Sequence, residues 1–185
     1  MDQLKGLKVA ILIADGFEQS EMTEPRKALD KAGAQTKIIS PNKEKVKGWT
    51  KKNWGDEFPV DIELSQANAE EFNALLLPGG QMNPDILRMN LVAVDFVKSF
   101  IKSHKPIAAI CHGPWILINA EGVKGKTITS WPSIKIDLIN AGANWVDKEV
   151  AKDDNIITSR KPDDIPAFNT AMIQLFSQIK SPVLR

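Results

Sequence analysis

The single cysteine of this 185-residue chain, Cys111, follows an apolar stretch and begins the sequence Cys-His-Gly-Pro. Residues 107–110 before it are typical of a buried strand, and residues 115–120 after it are typical of a helix. A strand, a sharp turn and a helix in that order form a nucleophile elbow, and the helix N-terminus favours a thiolate. The sequence therefore predicts an activated nucleophile that titrates well below a free cysteine. The alternative is a buried cysteine that acts as a small hydrophobic residue.

An acidic residue, Glu18, follows the first predicted strand and is the expected partner of the cysteine. Like-charge repulsion from a thiolate and partial burial would hold its carboxyl in the protonated form. As a neutral acid, it could donate a hydrogen bond to sulfur or pass a proton to a leaving group. The alternative is a solvated acid in the first turn of a helix, where negative charge complements the helix dipole.

The histidine beside the cysteine, His112, is the predicted general base, because its unperturbed pKa lies near neutral pH. Neighbouring side chains in a turn usually point apart, so this histidine is expected to need an orienting group. Asp85 is the candidate for that role, and an ordinary acid at a helix start is the alternative.

Glycines supply the remaining component of the predicted site. Gly79 and Gly80 follow an apolar segment and could present backbone N–H groups to a developing oxyanion, with a plain tight turn as the alternative. Gly113 lets the chain turn sharply after the cysteine, and we assign it with them to the oxyanion and substrate-binding set.

Strands alternate with helices along the chain, which predicts a mostly parallel sheet with right-handed crossovers. The predicted strands are 8–13, 35–39, 74–77, 107–110, 127–129, a segment near 150, and 156–158; the predicted helices are 19–32, 69–72, 91–103, 115–120, 133–140 and 166–179. Residues 42–63 are predicted to form an irregular excursion or a short hairpin. Ligands bind outside the carboxyl ends of parallel strands, so the acid, the glycine pair and the cysteine are expected in one crevice.

Composition limits the class of protein. Basic residues (24) and acidic residues (23) nearly balance, which gives no electrostatic reason to expect nucleic acid or a membrane surface as partner. The length suits one domain, residues 1–185. One cysteine, no membrane-length apolar run and no leader before the first strand favour a cytoplasmic protein. No dinucleotide fingerprint and no zinc-ligand spacing are found, so no cofactor and no metal are expected.

These motifs resemble the PfpI/ThiJ superfamily, which includes the intracellular protease PfpI and the Parkinson-associated deglycase. The resemblance covers nearly the whole chain, and its last segment is most similar to the YhbO-type general stress proteins. It rests on residues 14–18, 77–80, 109–114, 139–143 and 159–168. The resemblance implies a flavodoxin-like three-layer α/β sandwich of the class I glutamine-amidotransferase type. It also implies a nucleophile at Cys111, the elbow histidine at His112 and a glutamate at Glu18.

The resemblance further implies a homodimer or a hexamer. In PfpI-type proteases a glutamate from a neighbouring subunit orients the histidine, and the corresponding position here is Asp85. Aspartate is one methylene shorter, which weakens the peptidase interpretation, although the YhbO-type branch shares the aspartate.

The sequence thus predicts a cysteine-dependent stress-protection enzyme, a deglycase or glyoxalase-like hydrolase. Its expected partners are small carbonyl or glycated adducts, with peptides as a further class. Cys111 would attack the carbonyl carbon, Glu18 would shuttle protons, and the Gly79 and Gly80 amides would hold the oxygen. One alternative is a PfpI-type cysteine peptidase; another is a non-enzymatic redox sensor or holdase with an oxidisable Cys111. All three need the same activated thiol, so the sequence leaves them open, together with the contacts of Trp49, Trp54 and Trp115.

Overall fold

Strands and helices alternate along most of the chain. A computed structural model describes residues 3–179; residues 1, 2 and 180–185 of the predicted domain lie outside this range. The strands are β1 Lys8–Leu12, β2 Phe17–Glu18, β3 Gln35–Ser40, β4 Lys45–Thr50, β5 Asn53–Pro59, β6 Ile62–Glu63, β7 Ala74–Leu77, β8 Ile107–Ile110, β9 Thr127–Ile128, β10 Asn144–Trp145, β11 Val150–Asp153 and β12 Ile156–Ser159. The helices are α1 Gln19–Lys31, α2 Met82–Met89, α3 Leu91–Lys102, α4 Pro114–Asn119, α5 Lys135–Asn140 and α6 Ile165–Phe176.

Seven strands form the central sheet, in the order β11-β12-β8-β7-β1-β3-β6. Every neighbouring pair is parallel except β11 with β12. The strands β7 and β8 in the middle of this sheet are buried along their whole length, because both of their faces are covered. The prediction of a mostly parallel sheet is confirmed.

Helices cover both faces of the sheet and create two cores. On one face, α1 and α6 contribute Met22, Leu29 and Phe168 among others. On the other face, α2, α3 and α4 contribute Leu87, Phe100 and Leu117 among others. The sheet and the layer of helices on each of its faces form the three-layer, flavodoxin-like sandwich that the sequence predicts. Within residues 3–179, the helices fall short of the length and hydrophobicity that crossing a membrane requires.

Residues 42–63 contain a short hairpin, one of the two predictions for this segment. It is formed by β4 and β5, has a bulge between Lys47 and Trp49, and joins β2 in a separate three-stranded sheet.

Other segments differ from the prediction: the predicted helix at residues 69–72 is a single 3-10 turn, Ala69–Glu71, and the short strands β2, β6 and β10 were not predicted. Helix α2 was absent from the prediction, which began the helix at Leu91. Asn90 separates α2 from α3, and its side chain accepts the N–H groups of Val92 and Ala93 as an N-cap.

Candidate active site

The elbow is built around the backbone of Cys111. This residue follows β8 directly and has a φ of 63°, a left-handed conformation that is uncommon for a residue with a side chain. Its N–H donates to the carbonyl of Ser159 in β12 (3.0 Å), and its carbonyl accepts the N–H of Trp131 (2.9 Å). Helix α4 begins three residues later, at Pro114. Since both backbone groups are held, the side chain has a fixed direction at the carboxyl end of the sheet.

The acid beside the cysteine is Glu21, and the structure thereby corrects the assignment of Glu18. Glu21 is fully buried, and its Oε2 accepts the N–H of Gly79 at 3.0 Å. Its Oε1 has no hydrogen-bond partner among residues 3–179. Burial raises the pKa of Glu21 to about 8, and Cys111 is among the groups in contact with it. The carboxyl therefore carries its proton at neutral pH and can donate toward sulfur.

Glu18 lies in the same pocket, but in the described chain it makes no hydrogen bond to the sulfur. Its Oε1 accepts a hydrogen bond from Ser20 Oγ at 3.2 Å, and partial burial raises its pKa. The chain is extended at Glu18 in β2 and helical from Gln19 onward, so Glu21 turns toward the core and Glu18 does not. The spacing of Glu21 four residues before Pro25, on the buried face of α1, is the signal that could have identified it.

The thiol itself differs from the expectation of a low pKa. Burial raises the pKa of the Cys111 thiol, and the negative charge of an ionised Glu21 raises it further. The backbone N–H groups of Gly80 and His112 face the sulfur and lower its pKa in part. Below about pH 8 Glu21 is protonated, so its charge is absent. Removal of the thiol proton in this buried setting calls for a neighbouring base.

His112 is placed to be that base. Its Nδ1 lies 3.2 Å from Cys111 Sγ, so the two neighbouring side chains do not point apart as expected. Burial lowers the pKa of His112, which keeps the imidazole neutral at neutral pH and able to accept a proton. Its Nε2 lies 3.0 Å from Ser133 Oγ. If Nε2–H donates to Ser133, the lone pair of Nδ1 faces the sulfur.

The glycine assignments are corrected in part. The Gly79 N–H donates to Glu21, and the Gly113 N–H donates to the carbonyl of Ile110 at 2.8 Å. Neither group is free to bind an oxyanion. The N–H groups that face the sulfur belong to Gly80 and to His112, which sequence reasoning had assigned only as a base.

Gly79 has a different role, which is to bring the acid and the nucleophile together. A Cβ at this position would lie 2.5 Å from Glu21 Oε2 and 2.6 Å from Cys111 Cβ. Both distances are too short for a real side-chain carbon, so only glycine leaves the space that Glu21 and Cys111 occupy next to this position.

Asp85 does not contact His112 within the described chain. Its side chain is 53% exposed on α2, and its Oδ1 lies 3.4 Å from Arg88 Nε. The Arg88 guanidinium in turn lies over the ring of Trp115, 4.4 Å from its centroid. The Trp115 ring is 5.8 Å from the His112 ring. An orienting role of Asp85 across a subunit boundary stays a prediction.

Above the cysteine lies a pocket of about 320 Å³. Two tryptophans, Trp49 and Trp131, contribute to its walls, and Trp131 stacks on His112 with centroids 6.2 Å apart. The lining residues are Glu18, Glu21, Trp49, Lys51, Gly80, Gln81, Cys111, His112, Trp131 and Pro162. This volume suits a small molecule. In the range 3–179 no cluster of three or more metal-ligating side chains is found.

A larger cavity, of about 410 Å³, lies at the amino ends of the strands, opposite Cys111, near Asn73, His104 and Asn155. Asn73 and Asn155 precede the strands β7 and β12, whereas the cysteine follows β8. The chemistry therefore belongs to the smaller pocket.

Comparison with known proteins shows the family of the chain. Residues 7–175 match the sequence model of the DJ-1/PfpI family. General stress protein 18 of Bacillus subtilis is 45% identical over 175 residues, which cover 94% of this chain and 99% of that protein. "Putative cysteine protease YraA" of the same organism is 45% identical over 168 residues, 91% of this chain and 97% of that protein. Protein/nucleic acid deglycase 2 of Escherichia coli is 45% identical over 171 residues, 91% and 96% of the two chains.

Solved structures resemble the fold as well. Drosophila melanogaster DJ-1beta superposes with a TM-score of 0.84 at 28% identity, over 92% of this chain and 90% of that chain. This similarity agrees with the flavodoxin-like architecture derived from the strand order.

Proposed function

The chain belongs to the DJ-1/PfpI family, and on that basis we propose that it is a cysteine-dependent stress-protection enzyme that acts on small reactive carbonyl adducts, as a deglycase or glyoxalase-like hydrolase. One observation carries the proposal. At the floor of a pocket of about 320 Å³, a thiol lies between a buried protonated acid, Glu21, and a neutral base, His112. The deglycase name of the Escherichia coli relative supports this substrate class. The lone cysteine favours a reducing compartment, and we propose the cytoplasm as its place of action.

The proposed reaction begins with proton transfer from Cys111 Sγ to His112 Nδ1, across 3.2 Å. With methylglyoxal as the simplest substrate, sulfur forms a bond to the aldehyde carbon, and the carbonyl electron pair moves to oxygen. The N–H groups of Gly80 and His112 stabilise that oxygen.

Glu21 then serves as the proton shuttle in place of Glu18. Its carboxyl gives its proton to the oxyanion, and the carboxylate so formed takes the proton of the attacked carbon while His112 returns its proton to the neighbouring carbonyl oxygen. Glu21 passes the carried proton to the neighbouring carbon and takes back the hydroxyl proton of the attacked carbon, which converts the hemithioacetal into a thioester with no external oxidant or reductant. Water attacks the thioester with His112 as base, which releases lactate and restores the thiol. Methylglyoxal and one water thus give one lactic acid, so atoms and electrons balance.

A cysteine peptidase remains the second candidate, and the name of the Bacillus subtilis relative YraA supports it. Amide hydrolysis expels a poor leaving group and needs a firmly oriented base that becomes an acid. In the described chain the group 3.0 Å from His112 Nε2 is an exposed hydroxyl, that of Ser133, and not a carboxylate. Addition of the thiol to an aldehyde expels no amine leaving group and depends less on how firmly His112 is oriented. We therefore favour carbonyl-adduct chemistry.

An activity panel on purified protein separates the candidates. Methylglyoxal, glycated amino-acid adducts and casein are offered in thiol-free buffer, with Cys111→Ser as the control. We expect turnover of the aldehyde or its adducts that Cys111→Ser abolishes. Casein hydrolysis with no aldehyde turnover would reverse the ranking. Protection of cells that persists without any turnover would favour the redox sensor or holdase.

A further inference from the structure

The β4–β5 hairpin supplies one wall of the Cys111 pocket, through Trp49 and Lys51. Its outer strand, β5, is exposed along most of its length. Near the turn between β4 and β5, Trp49 packs edge-on against Trp54, with ring centroids 5.5 Å apart. At the base of the hairpin, Phe58 of the outer strand packs against Phe17, with ring centroids 5.7 Å apart. Apolar burial therefore holds the base of the outer strand and contributes little to holding its part nearer the turn.

Among the side-chain hydrogen bonds of residues 3–179, those that join this hairpin to α1 all come from one amide side chain. Gln19, the first residue of the helix, accepts the backbone N–H of Asp56 at Oε1 (2.8 Å) and donates from Nε2 to Asp56 Oδ2 (2.7 Å). Thr50 Oγ1 donates to the same Oε1 at 3.3 Å. Thr50 belongs to β4 and Asp56 to β5, so Gln19 ties both strands to the segment that carries Glu18 and Glu21.

Two glycines make room for this amide. A Cβ at Gly55 would overlap Gln19 Oε1, and a Cβ at Gly48 would lie 3.1 Å from the same atom. The pairing of β4 with β5 shifts register between Lys47 and Trp49, and such a bulge changes the direction of the side chains that follow it. Trp49 also pairs with Glu18 in the parallel ladder of β2 and β4. The sequence of the hairpin is thus shaped around the Gln19 side chain.

We propose that Gln19 is a positioning residue that holds the β4–β5 hairpin as a fixed wall, and that this wall restricts access to Cys111 to small molecules. The consequence for substrate choice rests on the proposed function. The consequence for access to the sulfur does not, because it is measured with reagents that modify any accessible thiol.

The direct test compares two thiol reagents of different size, iodoacetamide and a bulky aromatic disulfide. In Gln19→Ala we expect the rate with the bulky reagent to rise about tenfold relative to iodoacetamide, since hydrogen bonds to both strands are lost. Asn68→Ala is the matched control, because it removes a side-chain acceptor for the N–H of Glu70, a residue whose segment precedes β7. This control should leave the ratio unchanged. An unchanged ratio in folded Gln19→Ala would overturn the proposal.

A rescue experiment separates positioning from general loss of stability. Gln19→Glu removes the Nε2 donor and places a carboxylate against Asp56, so the ratio should rise as it does in Gln19→Ala. Adding Asp56→Asn returns a donor from the other side, and the ratio should fall back toward the wild-type value. Failure of this pair to restore the ratio, with both proteins folded, would contradict the role of Gln19 even if the alanine variant does not fold.

Kinetics then test the link to substrate. Gln19 contacts neither Cys111 nor His112 among the hydrogen bonds of the described chain. Gln19→Ala should therefore raise KM for methylglyoxal several-fold and leave kcat within about twofold. A fall in kcat with unchanged KM would contradict a positioning role at the pocket wall. If wild-type protein turns over no aldehyde, the proposed function fails, and the reagent ratio still decides the role of Gln19.

Discussion

Glu21 is a carboxyl that lies fully buried beside a thiol, and its protonation state controls the charge next to the sulfur. Below about pH 8 the carboxyl is neutral and can act as a donor; above that pH it places a negative charge against Cys111. Interacting acids of this kind titrate as a pair. The chemistry of the site therefore depends on both groups together.

The alkylation of Cys111 by iodoacetamide should show this pairing. In the wild type, ionisation of Glu21 near pH 8 raises the pKa of the thiol, so the rate should climb less steeply with pH than it does for a single titrating thiol. In Glu21→Gln the rate should follow one titration. Glu18→Gln, an equal change in the same pocket, is the comparison: because the charge of Glu18 helps to raise the pKa of Glu21, this variant should keep the two coupled titrations and shift the Glu21 titration to lower pH. Identical profiles for all three proteins would contradict the contact between Glu21 and Cys111.

The burial of Glu21 should also make stability depend on pH. The pKa of Glu21 is about 8 in the folded protein and close to its usual value of 4.5 in the unfolded chain, so between these values the folded state holds more protons. Folding stability from this group is therefore present below about pH 4.5 and is lost as the pH rises toward 8. Glu21→Gln removes this loss. Its free energy of unfolding, relative to wild type in urea titrations, should rise by about 1.4 kcal/mol per pH unit between about pH 5 and 7. A constant difference would show that Glu21 is ionised in the folded protein.

The activities of Ser133 and Asp85 variants show which of these two residues orients His112. Loss of the 3.0 Å contact in Ser133→Ala should lower kcat/KM for methylglyoxal about tenfold, because the histidine no longer has a fixed tautomer. Ser133→Thr keeps the hydroxyl and should retain most of the activity. Asp85→Ala should have the smaller effect. The opposite order would favour a triad completed by Asp85 of a neighbouring subunit.

At the scale of elements, the central strands could be predicted because both faces of the sheet are covered, which makes β7 a continuous apolar run. Helix α2 could not be predicted, since the polar Asn83 and Pro84 near its start are typical of a turn. The structure shows why Asn83 is there. Its buried side chain accepts the N–H of Ala14 (2.7 Å) and donates to the carbonyls of Pro78 and Gly79 (2.9 Å each). These links join loops far apart in sequence, so no local pattern records them.

The site was likewise predictable only where local sequence patterns, and not tertiary contacts, place its residues. The cysteine, the histidine and the glycine pair were identified from the turn after each strand, since parallel strands end at one edge of the sheet. Glu21 was missed because its direction depends on where β2 ends and α1 begins, a boundary that propensities do not fix to one residue. The use of the Gly79 N–H by Glu21 is a tertiary contact, which sequence spacing does not reveal.

The loop after β7 offers a test at this scale. A methyl group at Gly79 would press on both Glu21 Oε2 and Cys111 Cβ, so Gly79→Ala should force them apart. We expect a free energy of unfolding lower by about 1–3 kcal/mol and a change in the pH profile of Cys111 alkylation. Gly122→Ala is a suitable control, because a Cβ there meets mainly the flexible end of Ile101. Equal behaviour of the two variants would show that the close approach at Gly79 is not required.

At the scale of the whole molecule, α2 presents an apolar face that residues 3–179 leave uncovered. Met82, Ile86 and Met89 recur at helical spacing and are exposed, Met89 to 80%. Leu91, just beyond this helix, is 78% exposed. Asp85 lies on the same side of α2, three residues after Met82 and four before Met89. Exposed apolar groups of this kind typically mark a protein–protein contact, and we propose that a second copy of the chain covers them.

Light scattering at micromolar concentration should therefore give the mass of a dimer or a larger oligomer. Ile86→Lys, in the middle of the apolar face, should reduce the mass to that of a monomer, whereas Ile136→Lys, at an exposed position on α5, should not. A monomeric wild type would refute the oligomer. The monomeric variant also separates the two ways of orienting the histidine. If Ser133 of the same chain orients His112, the variant keeps its alkylation profile and its aldehyde turnover, because thiol, acid, base and hydroxyl all belong to one subunit. If Asp85 of a neighbouring subunit is needed, turnover is lost together with the dimer, although Cys111 stays in place.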